Sequence, residues 1–458
     1  MSTSNLLGVV LIARHGDRLE FWQDPTTYTT SNTAITPLGE VQENNLGAYV
    51  RSVYGTPSSS SYIGLSTPLY NAEQFLARAD AGDEGGVIYD SAIALVQGLF
   101  PPSSANNITL ANGTFVPSPL NGYQYIPIES VELEEDVSLE GYASCTAFSN
   151  RTTEFYNSTI FQQKVNETAA FLKELPPILD GRAATLVNMW NIYDYMNVQS
   201  VHNATFLNNL PPTFLAQARD LANWHEYNVF SDTTLGGIGN IAGTAMLPSI
   251  LTAMQRIANA SDPLKMHYSA ISYKPFLSLF NMTGVNSDGQ LPAAVVNYAA
   301  AVAFEIRQTG NDAPFVRFNF KNGTDDDGFK VYNMQLPGMA QPGDVPLSTF
   351  LSTLEPVAIN TTLQWCNACG QATDRGCAAL LNASSTTAVA PAHHDRISPV
   401  GAGFLGAGLT FAVYSMLLAA LAFLGLLAFG KRVHRSGSER GLNSPQGGSI
   451  NHEKTASA

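Results

Sequence analysis

The apolar run from Val9 to Ala13 passes without a spacer into Arg14, His15, Gly16, Asp17 and Arg18, and no other stretch constrains the fold as much. Residues 6–13 are apolar without alternation, the pattern of a strand covered on both faces in a parallel sheet. After a polar loop, Pro37 opens a segment with Leu38, Val41, Leu46, Tyr49, Val50 and Val53 on helical spacing. The chain therefore begins strand, loop, helix. Open α/β sheets take ligands at the carboxyl ends of their parallel strands, so the loop holding His15 stands where chemistry is expected. Two guanidinium groups flanking an imidazole suit a phosphate. The planar forks hold its oxygens, and a neutral imidazole is able to attack phosphorus and carry it.

Further along, residues 91–100 read as an amphipathic helix stopped by Pro101 and Pro102, and residues 145–260 carry mostly helical spacing broken at Pro176, Pro177, Pro211 and Pro212. That block reads as an inserted helical cap. Residues 264–272 return to strand character, 292–308 read as a helix, 315–320 and 329–334 as strands, and 346–355 as a short helix. The glycine-rich 236–243 follows no strand and reads as close helix packing rather than a nucleotide loop. His202 and His225 fall in the cap without a partner that spacing identifies.

The pattern resembles the histidine acid phosphatase and phytase branch of the histidine phosphatase superfamily, whose members open with a strand followed by Arg-His-Gly-x-Arg-x-Pro. The resemblance continues through "ITPLGEVQ" (35–42), "SAIALVQGLFPP" (91–102), "HYSAISYKPF" (267–276) and "WCNACG" (365–370), covering about residues 6–380. It implies a phosphoglycerate-mutase-like α/β core, with a mostly parallel sheet flanked by helices and a helical cap. It also implies phosphomonoester hydrolysis through a phosphohistidine, with no cofactor and no metal. His15 would be the nucleophile, and Arg14 and Arg18 the phosphate ligands.

Three departures qualify that expectation. The family's His-Asp pair after "YSA" is replaced by Ile271 and Ser272, its further phosphate-binding Arg falls at Gly86 or Val87, and its Pro after the second Arg is Glu20. Ile271 donates no hydrogen bond and Ser272 is no general acid, a role worth about 10²- to 10⁴-fold in rate. Asp17 and Glu20 remain as local candidates for the acid. His267 would lie roughly 13 Å from Ile271 along the strand, too far to substitute. Arg78 matches an earlier Arg of its segment, not the phosphate-binding one. The expectation is a phosphatase with impaired catalysis. The alternative is a pseudophosphatase that binds a phosphorylated ligand or protein partner without turnover.

Composition bounds the setting. A net charge of −14 over 458 residues argues against nucleic acid as a partner. Residues 398–430 are uncharged and are followed by Lys431, Arg432, His434 and Arg435, which predicts a transmembrane helix at 399–430 in the lipid bilayer and a cytosolic tail at 431–458. The phosphatase-like domain would occupy 1–382, with a linker at 383–398. His393, His394 and Asp395 read as a solvated patch beside the membrane.

Asn-x-Ser/Thr acceptors at Asn107, Asn112, Asn150, Asn157, Asn166, Asn203, Asn259, Asn281, Asn322, Asn360 and Asn382 all precede the span, which predicts a glycosylated body outside the cell or in the secretory lumen. The first residues read as a buried strand rather than a removable signal. That leaves either a leader upstream of Met1 or a tail-anchored topology with the acceptors unmodified. Cys145, Cys366, Cys369 and Cys377 make two disulfides in an oxidising compartment, with three pairings open; a zinc reading lacks a second closely spaced pair.

Overall fold

The computed structural model describes residues 4–22, 24–25, 33–81, 86–132 and 134–389. In chain order it places strand β1 (Asn5–Arg14), helix α1 (Pro37–Val50), β2 (Phe75–Asp80), α2 (Val87–Leu99), a two-stranded ribbon of β3 (Ile108–Thr109) and β4 (Phe115–Val116), the single turn α3 (Pro119–Gly122) and β5 (Glu129–Val131). The cap helices α4 (Thr146–Tyr156), α5 (Thr159–Glu174), α6 (Met189–His202), α7 (Ala204–Asn209) and α8 (Phe214–Val229) follow. The chain then returns through α9 (Ile241–Ala258), β6 (Met266–Ile271), α10 (Lys274–Thr283), β7 (Ala301–Gln308), β8 (Phe315–Lys321), β9 (Lys330–Tyr332), β10 (Val345–Pro346), α11 (Leu347–Leu354), α12 (Thr362–Cys369) and α13 (Cys377–Val389).

The main sheet runs β10-β8-β7-β1-β6-β2-β5, with β9 beside β8. The half from β1 to β5 is parallel, whereas β7, β8, β9 and β10 pair antiparallel. The sheet is therefore mixed rather than mostly parallel. One cause lies in residues 292–308, whose spacing predicts a helix. Their second half is β7, in which Ala301 to Ile306 are all buried because helices or loops cover both sheet faces. A strand covered on both sides carries no period-2 signal, and its alanines mimic a helix.

Helix α1 begins where its sequence says it should. Thr36 caps it through Gly39 N, and Pro37 takes the first turn, where its missing N–H costs nothing. Its buried face is not the expected one. Leu38 and Val41 are exposed at 43% and 56%, while Gly39, Glu43, Leu46, Gly47 and Val50 turn inward. Glycines decide this: a Cβ on Gly47 would lie 1.9 Å from Leu95 O, and one on Gly98 2.0 Å from Asn44 O, so α1 and α2 meet backbone to backbone. Small residues, invisible to a count of apolar spacing, set the contact.

The cap is smaller than residues 145–260. Helices α4 to α8 form their own core around Phe161, Leu175, Met189, Ile192, Met196 and Ala222. Helix α9 instead packs Met246, Leu247, Ile250 and Ile257 against Val10 and Ile12 of β1, as part of the sheet's cover. Gly243 lies against Met282 and Ser278 of α10, the helix packing expected for the glycine-rich stretch.

The four cysteines pair as Cys145–Cys369 and Cys366–Cys377. The first bridge joins the entrance of α4 to α12 across 224 residues of sequence. Replacing Cys145 and Cys369 together by Ser is expected to lower stability by about 2–5 kcal/mol, read from denaturant unfolding. Unchanged stability would mean that packing alone fastens the cap's root to α12.

The chain is helical over Cys377–Val389, so residues 383–389 continue a helix where a linker was expected. The remainder of that segment, the transmembrane reading of 399–430 and the tail at 431–458 lie outside the described residues. Among the described residues no helix is long and apolar enough to cross a membrane.

Candidate active site

Strand β1 pairs parallel with β6, with Arg14 opposite Ile271, and the loop that begins at His15 leaves the sheet at their shared carboxyl end. His15 N donates to Ile271 O at 3.1 Å and Ala299 N donates to His15 O at 3.2 Å, so β6 and the segment leading into β7 fix the backbone of this residue. Gly16 N donates to Ser91 Oγ at 3.0 Å. A Cβ on Gly16 would sit 2.5 Å from Gly39 O. The glycine is required for the first turn of α1 to press on the loop.

The His15 imidazole is buried, with Nδ1 2.8 Å from Gly16 O. A carbonyl only accepts, so Nδ1 carries the proton and the lone pair lies on Nε2. Burial, and after it the positive charges of Arg14 and Arg18, hold the pKa well below the ordinary 6.5; Lys274 adds in the same direction. The ring is kept neutral at acid pH, the form that attacks phosphorus.

Arg14 Nη1 donates to Val296 O, and its guanidinium lies 4.4 Å from the Tyr298 ring centroid and 5.3 Å from that of Tyr273. Arg18 Nη1 reaches Leu19 O at 2.9 Å and Asp194 at 3.0 Å. Asp194 comes from cap helix α6 and also accepts from Phe21 N at 2.9 Å. Arg14, His15 and Arg18 are thus brought together as expected, beneath a cap carboxylate that sequence reasoning missed. No local motif marks Asp194.

The two candidate acids separate. Asp17 is buried, and its Oδ2 accepts from Thr36 Oγ1 at 2.5 Å and from His202 Nε2 at 2.7 Å. It lines a cavity of about 250 Å³ together with Arg14, Asp194, Asn297 and Tyr298. Glu20 is instead held by Gln199 Nε2 at 2.5 Å and does not line that cavity. His202, left without a partner by sequence, therefore has one in the loop itself. His225 is structural: its ring bonds Glu226 at 2.7 Å and Tyr156 Oη at 3.0 Å inside the cap.

Ile271 and Ser272 are fully buried at the end of β6, and Ser272 Oγ has no hydrogen-bond partner among the described residues. Val87 opens α2, and its carbonyl accepts from the same Ser91 hydroxyl that contacts Gly16. His267 lies elsewhere, in a cleft of about 550 Å³ with Arg78 and Arg256, its pKa lowered to about 4 by burial and by those two arginines.

Residues 19–321 match the model of histidine phosphatase superfamily branch 2. The chain belongs to this family. Among curated relatives of this chain, prostatic acid phosphatase of Homo sapiens is 25% identical over 358 residues, spanning 76% of this chain and 84% of the relative. Lysosomal acid phosphatase of Homo sapiens is 24% identical over 371 residues, spanning 78% and 79%. Among solved structures, a Hafnia alvei phytase in complex with tartrate superposes with a TM-score of 0.53 at 14% identity, covering 80% of this chain and 98% of that one. A Klebsiella phytase gives 0.52 at 14% identity, covering 79% and 99%. The family match begins directly after Arg18 and does not itself include Arg14, His15 or Arg18.

Proposed function

We propose that this chain hydrolyses phosphomonoesters through a phosphohistidine on His15, at a rate reduced by Val87, Ile271 and Ser272. The observation that carries the reading is the neutral His15 ring, with its Nε2 lone pair fixed by the Gly16 carbonyl and its flanks taken by Arg14 and Arg18. In the first step Nε2 forms a bond to phosphorus as the ester P–O bond breaks, and the leaving oxygen takes a proton. In the second, water displaces His15 and inorganic phosphate leaves. Asp17 is the proton donor in this reading, hydrogen-bonded to His202 beside the cavity that Arg14 lines. The similarity to prostatic and lysosomal acid phosphatases supports the same reaction class.

The test is turnover of an aryl phosphate by the full chain near pH 5 beside a His15→Ala control, with equal background in both overturning the proposal. Asp17→Asn is expected to lower kcat by about 10²- to 10⁴-fold on a poor leaving group and by much less on an activated one, because only the former needs the proton. An equal loss on both substrates would assign Asp17 to the architecture of the loop instead.

A specific contact favours a second reading, binding without turnover. The Asp194 carboxylate sits on Arg18, where a phosphate oxygen would compete with it. Stabilisation of the chain by phosphate with no turnover would support that reading. The setting we propose is a glycosylated body in the secretory lumen or outside the cell, held by the apolar segment 399–430. Two disulfides and the acceptor sequences support it.

A further inference from the structure

Above Arg14 a small cavity of about 30 Å³ is lined by Arg14, Arg18, Tyr193, Asp194, Tyr273 and Lys274, and it adjoins the larger one through Arg14, Tyr193 and Asp194. Three cations and one carboxylate face this space, and the carboxylate is engaged by Arg18. Arg14 and Lys274 have no carboxylate partner among the described residues; Arg14 bonds a backbone carbonyl and lies against two tyrosine rings. Lys274 Nζ donates to Tyr142 Oη at 3.3 Å and stands 4.7 Å from the Tyr142 ring centroid and 5.8 Å from that of Phe21. One hydroxyl and two ring faces hold the ammonium, and the hydroxyl takes only one of its three donors.

Cations converging on one enclosed space repel one another, and a dianion between them reverses the sign. We propose that Lys274 is a third phosphate-binding cation, supplying the charge that the family's Arg and His would bring at Val87 and Ile271. This rests on the reading of Arg14 and Arg18 as the phosphate site. The placement follows from the chain: β6 ends at Ile271, and α10 begins at Lys274 three residues later, on the side where His15 leaves the sheet. Lys274 also acts on His15, whose ring is faced by Arg14, Arg18, the neutral Tyr298 and the Gly16 carbonyl.

The test measures inorganic phosphate binding by calorimetry on the full chain, comparing wild type with Lys274→Gln, Lys274→Arg and Arg14→Ala. Charge-assisted hydrogen bonds are strong enough that Lys274→Gln should weaken phosphate by about 10- to 100-fold, with Lys274→Arg largely restoring it. On an aryl phosphate, Lys274→Gln should raise KM more than it lowers kcat. It should also move the acid limb of kcat/KM to higher pH, since a cation that disfavours protonated His15 is gone. Phosphate affinity unchanged in Lys274→Gln but lost in Arg14→Ala would overturn the role of Lys274 and keep the anion site. Equal affinity in wild type and Arg14→Ala would overturn the anion site and this inference with it. A matching melting temperature without phosphate separates either result from misfolding.

Discussion

Replacing His15 by Ala is expected to lower turnover of an aryl phosphate by at least about 10⁴-fold, because in the proposed reaction the phosphoryl group is carried by the imidazole that Arg14 and Arg18 flank. The wild-type pH profile should carry a matching signature. A protonated imidazole has no lone pair for phosphorus, so activity falls as pH drops through the pKa of His15. Burial, then Arg14 and Arg18, hold that value well below 6.5, so the acid limb of kcat/KM lies below 6.5 as well. An acid limb at or above 6.5 would contradict the assignment. The same shift has a cost in stability. The folded chain binds fewer protons than the unfolded one below pH 6.5, so stability declines as pH falls through that value, and His267, with its pKa near 4, adds to the decline down to about pH 4.

Ser272→Asp is the converse change and should raise kcat on a poor leaving group by about 10²-fold or more. Position 272 lies one residue beyond Ile271, whose carbonyl accepts from His15 N, so a carboxyl there would be carried on backbone that adjoins the His15 loop. The Ser272 hydroxyl has no hydrogen-bond partner to lose among the described residues, which limits the damage of the substitution. Single-turnover kinetics should show the gain in phosphoryl transfer to His15, not in release of phosphate. No gain in Ser272→Asp, together with a large loss in Asp17→Asn, would mean that Asp17 already fills the role.

The nucleophile loop is legible in the sequence because a fully apolar strand that ends in two arginines and a histidine puts cations and a nucleophile at the ligand-binding edge of a sheet. The structure brings Arg14, His15 and Arg18 together for that reason. The loop's partners are not legible, since Asp194, His202 and Lys274 reach it from elements whose local pattern says nothing of where they point. Lys274 carries one signal, a cation two residues beyond Ser272, which is hidden when the departures at Ile271 and Ser272 are read only as losses. The fold escapes sequence reasoning where burial is symmetric or side chains are small. Strand β7 is covered on both faces and loses its period, and α1 turns Gly39 and Gly47 inward and Leu38 outward. Helical spacing puts the cap boundary at 260 but does not say which neighbour a helix covers; α9 covers the sheet.

Cap and core are joined by more than contact. Asp194, Gln199 and His202 of α6 grip Arg18, Glu20 and Asp17, and Tyr273, whose ring lies against Arg14, donates to Glu226, which bonds His225, which bonds Tyr156 deep in the cap. Swinging the cap outward would strip the buried Asp17, Arg18 and Glu226 of these partners at once. The cap is thus tied to the core both at the His15 loop and at the start of α10. In the proposed reaction the phosphate would enter past Gln42, Asn297 and the exposed Asp325, which line the cavity together with Arg14 and Asp17.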